Sequence, residues 1–188
     1  MITIERYRPD TMRAQWDDFL SLTRNATLLH RRDYMDYHSD RFADHSLLAL
    51  ADKRVVAVLP ACATAHDNTL WSHRGLTYGG WLMHTKHATT PVMTDVAQAL
   101  TDYCRANGFE RLVYKPSPYI YHRYPADDDV YALIARGARL TECAISATID
   151  LRAPIAFDRG NRGALSAARR LGITAAQSDR WADYWQGL

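Results

Sequence analysis

The stretch Ser72-His73-Arg74-Gly75-Leu76-Thr77-Tyr78-Gly79-Gly80-Trp81 concentrates residue types that do chemistry. Its three glycines are interleaved with hydroxyls, an imidazole, a guanidinium and two aromatic rings. Glycine admits positive φ and lets a ligand approach main-chain N–H groups that a Cβ would shield. The residues leave two readings open: a loop built to meet a ligand, or a wide turn between two elements. His73 has the proton affinity of a general base near neutral pH, or it anchors the loop through backbone bonds. Arg74 suits a bidentate hold on phosphate or carboxylate, or it is a solvated loop residue.

A second polar-aromatic stretch, Lys115-Pro116-Ser117-Pro118-Tyr119-Ile120-Tyr121-His122-Arg123-Tyr124-Pro125, carries three prolines that exclude helix. His84-Thr85-Lys86-His87 places two imidazoles at i, i+3 but offers no further convincing ligands, so no metal is expected. Asp127-Asp128-Asp129 is most simply the negative start of a helix. Cys62, Cys104 and Cys143 are odd in number and widely spaced, as buried thiols of a reducing compartment would be.

At 188 residues, 47% of them hydrophobic, the chain holds one well-cored soluble domain with a few dozen residues to spare. A net charge of +2 gives no case for DNA or for a membrane surface. No apolar run reaches spanning length and the N-terminus lacks a signal-peptide pattern, so the expected location is cytoplasmic.

The elements that must position these residues follow from the periodicities. Strands are expected near residues 2–7, 46–51, 54–64, 69–73, 109–114 and 139–151, with Pro60 marking an edge or bulge. Pro9-Asp10 opens a helix with Met12, Trp16, Phe19 and Leu20 on one face and Asn25 at its end. Ala26 to His30 reads as an extended link, and Arg31 to Phe42 as a second helix. Thr90-Pro91 opens a long helix with the stripe Val92, Val96, Ala99, Leu100 and Tyr103, stopped at Asn107-Gly108. Another helix runs from the aspartates to Gly137. Residues 1–152 thus form an α/β (α+β) lobe with a mixed, mostly antiparallel sheet flanked by helices, and 153–188 a basic helical segment. That segment carries Arg159, Arg162, Arg169 and Arg170, then Trp181 and Trp185, which need a surface to cover them.

This element order resembles the acyl-CoA N-acyltransferase (GNAT) fold. Asn25-Ala26-Thr27, Asp33 to Phe42, Leu59-Pro60-Ala61, Ser72 to Gly80 and Tyr114 to Pro125 are similar, in order, to the first lobe of Fem-like acyltransferases encoded with surface-polysaccharide genes. The resemblance implies acetyl or aminoacyl transfer to an amine of a cell-envelope or polysaccharide precursor. This lobe would supply the acceptor cleft, and residues after 153 a connector and the start of a second lobe that is missing. It implies Ser72, His73, Arg74, Tyr78, Lys115, Tyr121 and His122 as substrate contacts. Arg74, Gly75, Gly79 and Gly80 would meet an acyl-CoA or aminoacyl donor.

Two departures set the expectation for activity. The loop does not keep the family's Arg-Gly-x-Gly-x-Gly/Ala pattern, and the position four before Gly137, where the family places a tyrosine acid, is Leu133. No catalytic residue is assigned, and the chain is not expected to acetylate amines alone. The other class consistent with the residues is a non-catalytic binding lobe, dimerising to replace the absent half.

Overall fold

Residues that alternate between two faces can be buried on both only when helices cover each side, and that is the situation of the central strands here. The structure is a computed structural model describing residues 1–37, 39–64 and 66–187. The chain divides into two units, residues 1–140 and 141–188.

In the first unit, β1 (Ile2–Arg6) pairs antiparallel with β3 (Leu47–Ala51), which turns back into β4 (Arg54–Leu59). The turn places Asp52 at φ 47° and Lys53 at φ 68°, the left-handed pair that a two-residue hairpin requires. Leu47 and Ala49 join one core cluster with Met93, Val96 and Leu100, while Leu48 and Leu50 join another with Met12, Trp16 and Phe19. Those helical residues belong to α3 (Thr90–Ala106) and α1 (Pro9–Ser21), one on each face of the sheet. Each fully buried Leu in such a core contributes about 1.5–3 kcal/mol. Between Ala49 and Leu50 the register shifts, so Val56 and Ala57 enter the same cluster.

The run expected as one strand over 54–64 breaks at Pro60-Ala61. Pro60 has no N–H to give a ladder, and the chain passes there from one sheet to another. Opposite the break, β2 (Ala43–Asp44) reaches β3 through His45-Ser46; the His45 N–H donates to Ala61 O at 2.9 Å and the Ala61 N–H to Ser46 Oγ at 3.2 Å. The hairpin is therefore bent across two sheets. One is ordered β1-β3-β4-β7, with β7 at Leu82–Met83. The other is ordered β2-β5-β6-β8, with β5 at Cys62–Thr64, β6 at Thr69–Trp71 and β8 at Arg111–Val113. Among the described residues every strand pairing is antiparallel except β6 with β8, which β7 and α3 separate in the chain. The single mixed sheet of the sequence reading is thus two sheets. The α+β class and mostly antiparallel character hold.

Other expectations need correction. The second helix is short: α2 spans Arg32–Asp36, preceded by a 3-10 turn at Leu28–His30 in place of the extended link. Tyr34 and Tyr37, which lie within the expected longer helix, are exposed, so no buried face runs along it there. Asn25 does not end α1. It is buried, with its Nδ2 donating to Trp81 O at 2.8 Å and its Oδ1 accepting the Met83 N–H at 2.9 Å. Helix α4 (Asp128–Ala135) begins at the aspartates as expected. Arg32 is wholly buried between the rings of Tyr7 and Trp16, at 3.4 and 3.9 Å, and pairs with Asp44 at 2.6 Å.

In the second unit no strand forms over 141–151. The alternation is present, but Ile145, Ile149 and Leu151 are exposed and no partner strand receives them. Helix α5 (Arg159–Arg170) is capped by Asp158, whose side chain accepts the Asn161 N–H, and α6 spans Trp181–Gln186. Trp181 and Trp185 are exposed. Among the described residues no helix is long and apolar enough to cross a membrane.

Candidate functional site

A parallel strand pair leaves both C-terminal ends on one side, so loops that follow them meet there. Beyond β6 and β8 the ladder continues into the loops. The Ser72 N–H donates to Val113 O at 2.9 Å, the Lys115 N–H to Ser72 Oγ at 2.7 Å, and the Gly79 N–H to Lys115 O at 2.9 Å. Ser117 Oγ then donates to Gly79 O at 3.2 Å. The two stretches picked from the sequence are stitched directly together.

The other resembling segments converge on the same loops. Phe42 packs where a Cβ on Gly75 would stand, 2.7 Å from its ring, and its ring centroid is 5.8 Å from that of His73. Tyr78 stacks on Tyr121 at 5.1 Å and donates its hydroxyl hydrogen to Thr27 Oγ1 at 3.2 Å. His30 meets Tyr78 edge-on, and its Nδ1 accepts the Thr27 N–H at 2.9 Å. Burial pulls the His30 imidazole down to about 4, opposed by the Tyr78 backbone and helped by the nearby His73.

The glycines serve the loop's own packing. A Cβ on Gly79 would lie 2.3 Å from Ser72 O. Gly80 sits at φ 76°, with the Tyr114 hydroxyl 2.9 Å from where its Cβ would be. Several main-chain donors are committed too. The N–H groups of Arg74, Gly75, Leu76, Gly79 and Trp81 go to Cys62 Sγ, His73 Nδ1, His73 O, Lys115 O and the Tyr114 hydroxyl. Among the residues expected at a donor site, Arg74 keeps an exposed guanidinium, 4.9 Å over the Trp71 ring.

Of the substrate candidates, Ser72 and His73 are buried and tied to the loops, while Arg74 and Lys115 are exposed and make no ion pair among the described residues. Tyr121 is half-exposed over Tyr78. The His122 Nε2–H donates to Ser117 O at 3.1 Å, which leaves Nδ1 a bare acceptor, buried and without a partner. Neither imidazole of the two loops presents an open lone pair to solvent.

Sequence reading missed the pair beneath these loops. Tyr114, at the end of β8, accepts the Trp81 N–H at 2.6 Å and donates to the Asp129 carboxylate at the start of α4. Burial raises the Asp129 carboxyl above its usual range, partly offset by the Tyr114 bond, and burial with the Asp129 charge holds the Tyr114 phenol well above its own. No local pattern distinguishes Asp129 from the aspartates before it. Among the described residues no group of three His, Cys, Asp or Glu side chains is placed to hold a metal.

No protein-family model matches the sequence, and no curated protein matches it. Among solved structures, the chain is similar to a ribosomal-protein-alanine N-acetyltransferase from Brucella melitensis biovar Abortus: 13% identity, 79% of this chain, 100% of that one, TM-score 0.49. It is similar to a transcriptional regulator from Bacillus halodurans at 8% identity, over 79% of this chain and 100% of that one, TM-score 0.48. An aminoglycoside acetyltransferase from an uncultured soil metagenomic sample, in complex with trehalose, matches at 13% identity, over 79% and 97%, TM-score 0.42.

Proposed function

We propose that this chain is an N-acyltransferase-type lobe that binds the amine-bearing acceptor, a sugar or peptide precursor of the cell envelope, at the joined Ser72–Gly80 and Lys115–His122 loops. The observation that carries the reading is the division of labour in those loops. The amides of Arg74, Gly75, Leu76, Gly79 and Lys115 are spent within the protein, while Arg74, Lys115 and the Tyr121 ring are exposed at the end of a parallel strand pair. Such a surface holds an anionic group by charge and a ring by stacking.

An acyl-CoA or aminoacyl donor supplies an activated carbonyl when bound. The N–H groups of Arg74, Gly75, Leu76, Gly79 and Trp81 already have protein acceptors, which argues against an amide cradle built from them for the pyrophosphate of such a donor. The chain's own residues bind and orient: Lys115 and Arg74 attract charge, and Tyr121 on Tyr78 offers a flat face.

Calorimetric titration tests this, with glucosamine 6-phosphate as acceptor probe and acetyl-CoA as donor probe, alongside sedimentation. The acceptor probe is expected to bind saturably and to lose that binding in Lys115→Ala. Micromolar binding of acetyl-CoA to the monomer overturns the acceptor-lobe assignment and moves Arg74 to a donor site. A second reading, a non-catalytic binding lobe that dimerises, is favoured by the engaged state of His73 and His122. It predicts dimers in sedimentation and acceptor binding without turnover under any donor.

A further inference from the structure

The His84-Thr85-Lys86-His87 turn belongs to neither loop of the proposed acceptor surface. The His84 N–H donates to Val56 O at 2.9 Å, extending the β4–β7 pairing by one residue and bringing the turn beside the end of β4, where Arg54 stands. The rings of His84 and His87 lie 4.4 Å apart. A cavity of about 220 Å³ opens here, lined by Ala51, Asp52, Arg54, Val56 and His87. Among the described residues Arg54, Lys86 and His87 make no ion pair, and the His87 ring nitrogens have no hydrogen-bond partner.

We propose that this cavity is a binding site for a small tetrahedral dianion, inorganic phosphate or the phosphate of a monoester, held by Arg54 and His87 with His84 and Lys86 flanking it. Two features select an anion over a metal ion. His84 Nδ1 accepts the Lys86 N–H at 3.0 Å, so the neutral ring carries its proton on Nε2 and offers a donor, not a lone pair. Arg54 and Lys86 would also repel a cation. The positive field is felt locally: burial lowers the proton affinity of His84 first, and His87, Lys86 and Arg54 lower it further. The one acid in the wall, Asp52, is paired with the Met1 ammonium at 3.1 Å. Arg54 and the imidazoles can donate to several oxygens of one phosphate at once, which a spherical halide cannot exploit.

The test follows the imidazole resonances of His84 and His87 in the full chain while inorganic phosphate is added, with sodium chloride at matched ionic strength as reference. Both resonances are expected to shift saturably with phosphate. Arg54→Ala is expected to weaken that response at least about tenfold, as is His87→Ala read at His84. Arg54 is exposed and His87 half-buried, and the amide spectrum checks that the variants fold. Equal shifts with chloride, a non-saturating response, or an unchanged response in Arg54→Ala overturns the site. A loss caused by Arg74→Ala instead overturns it too, because the phosphate would then be bound at the acceptor loops.

Discussion

The Tyr114 hydroxyl donates to the buried Asp129 carboxylate while accepting the Trp81 N–H, so one phenol oxygen joins β8, α4 and the end of the glycine loop. It is the strut under the surface on which Lys115 and Tyr121 are displayed.

Removing that hydroxyl deprives the buried Trp81 N–H of its acceptor and the buried Asp129 carboxylate of one donor. Tyr114→Phe is expected to destabilise the chain by about 1–3 kcal/mol, measured by urea unfolding, and to loosen the Lys115–His122 loop. Unchanged stability would show that the bond contributes little to the fold.

Asp129 and His30 give opposite pH dependences. A carboxyl raised above its ordinary 3.8 binds its proton more tightly folded than unfolded. Its contribution is therefore complete below 3.8 and is lost as pH rises through the raised folded value. His30, lowered from 6.5 to about 4, contributes fully above 6.5 and loses that contribution as pH falls toward 4. The His30 effect amounts to about 3 kcal/mol. Unfolding followed from pH 7 to 4 is expected to show the His30 loss disappear in His30→Gln and the Asp129 gain disappear in Asp129→Asn.

Gly79→Ala places a methyl 2.3 Å from Ser72 O, a backbone atom that cannot step aside. Overpacking of this kind costs about 1–3 kcal/mol. The expected result is a lower melting temperature together with a displaced Lys115 loop, since the Gly79 N–H is what holds Lys115 O.

Arg32 is planar and lies between two aromatic faces. Arg32→Lys is expected to destabilise despite keeping the charge, because an ammonium does not stack. Arg32→Ala is expected to destabilise more than Arg32→Lys, because it empties the slot between Tyr7 and Trp16 and also removes the partner of Asp44. Equal stability of Arg32→Lys and the parent in urea would contradict the stacking account.

What the sequence made legible was local. Helix α3 could be bounded because Pro91 and Gly108 are punctuation, and Gly108 does take a positive φ of 73°. The β3–β4 hairpin could be read from two apolar runs around a short polar turn. The second helix is shorter than expected because Tyr34 and Tyr37 meet no core that would hold a longer one. The same holds for residues 139–151, where alternation was visible but a strand exists only against a partner edge. At the candidate site, Arg74, Lys115 and Tyr121 could be named from residue type. The burial of Asp129 and the bonds of Asn25 could not, because they depend on partners 15 and 56 residues away.

The hairpin bent at Pro60-Ala61 gives the first unit no line along which to come apart. Each of its two arms runs from one sheet into the other, so neither sheet can peel off while its neighbour stays intact. Solvent reaches the amides of Val58 and Leu70, one in each sheet, only through the same opening event. Their deuterium uptake should therefore keep a common pace, with the acceptor loops resting on a support that yields all at once.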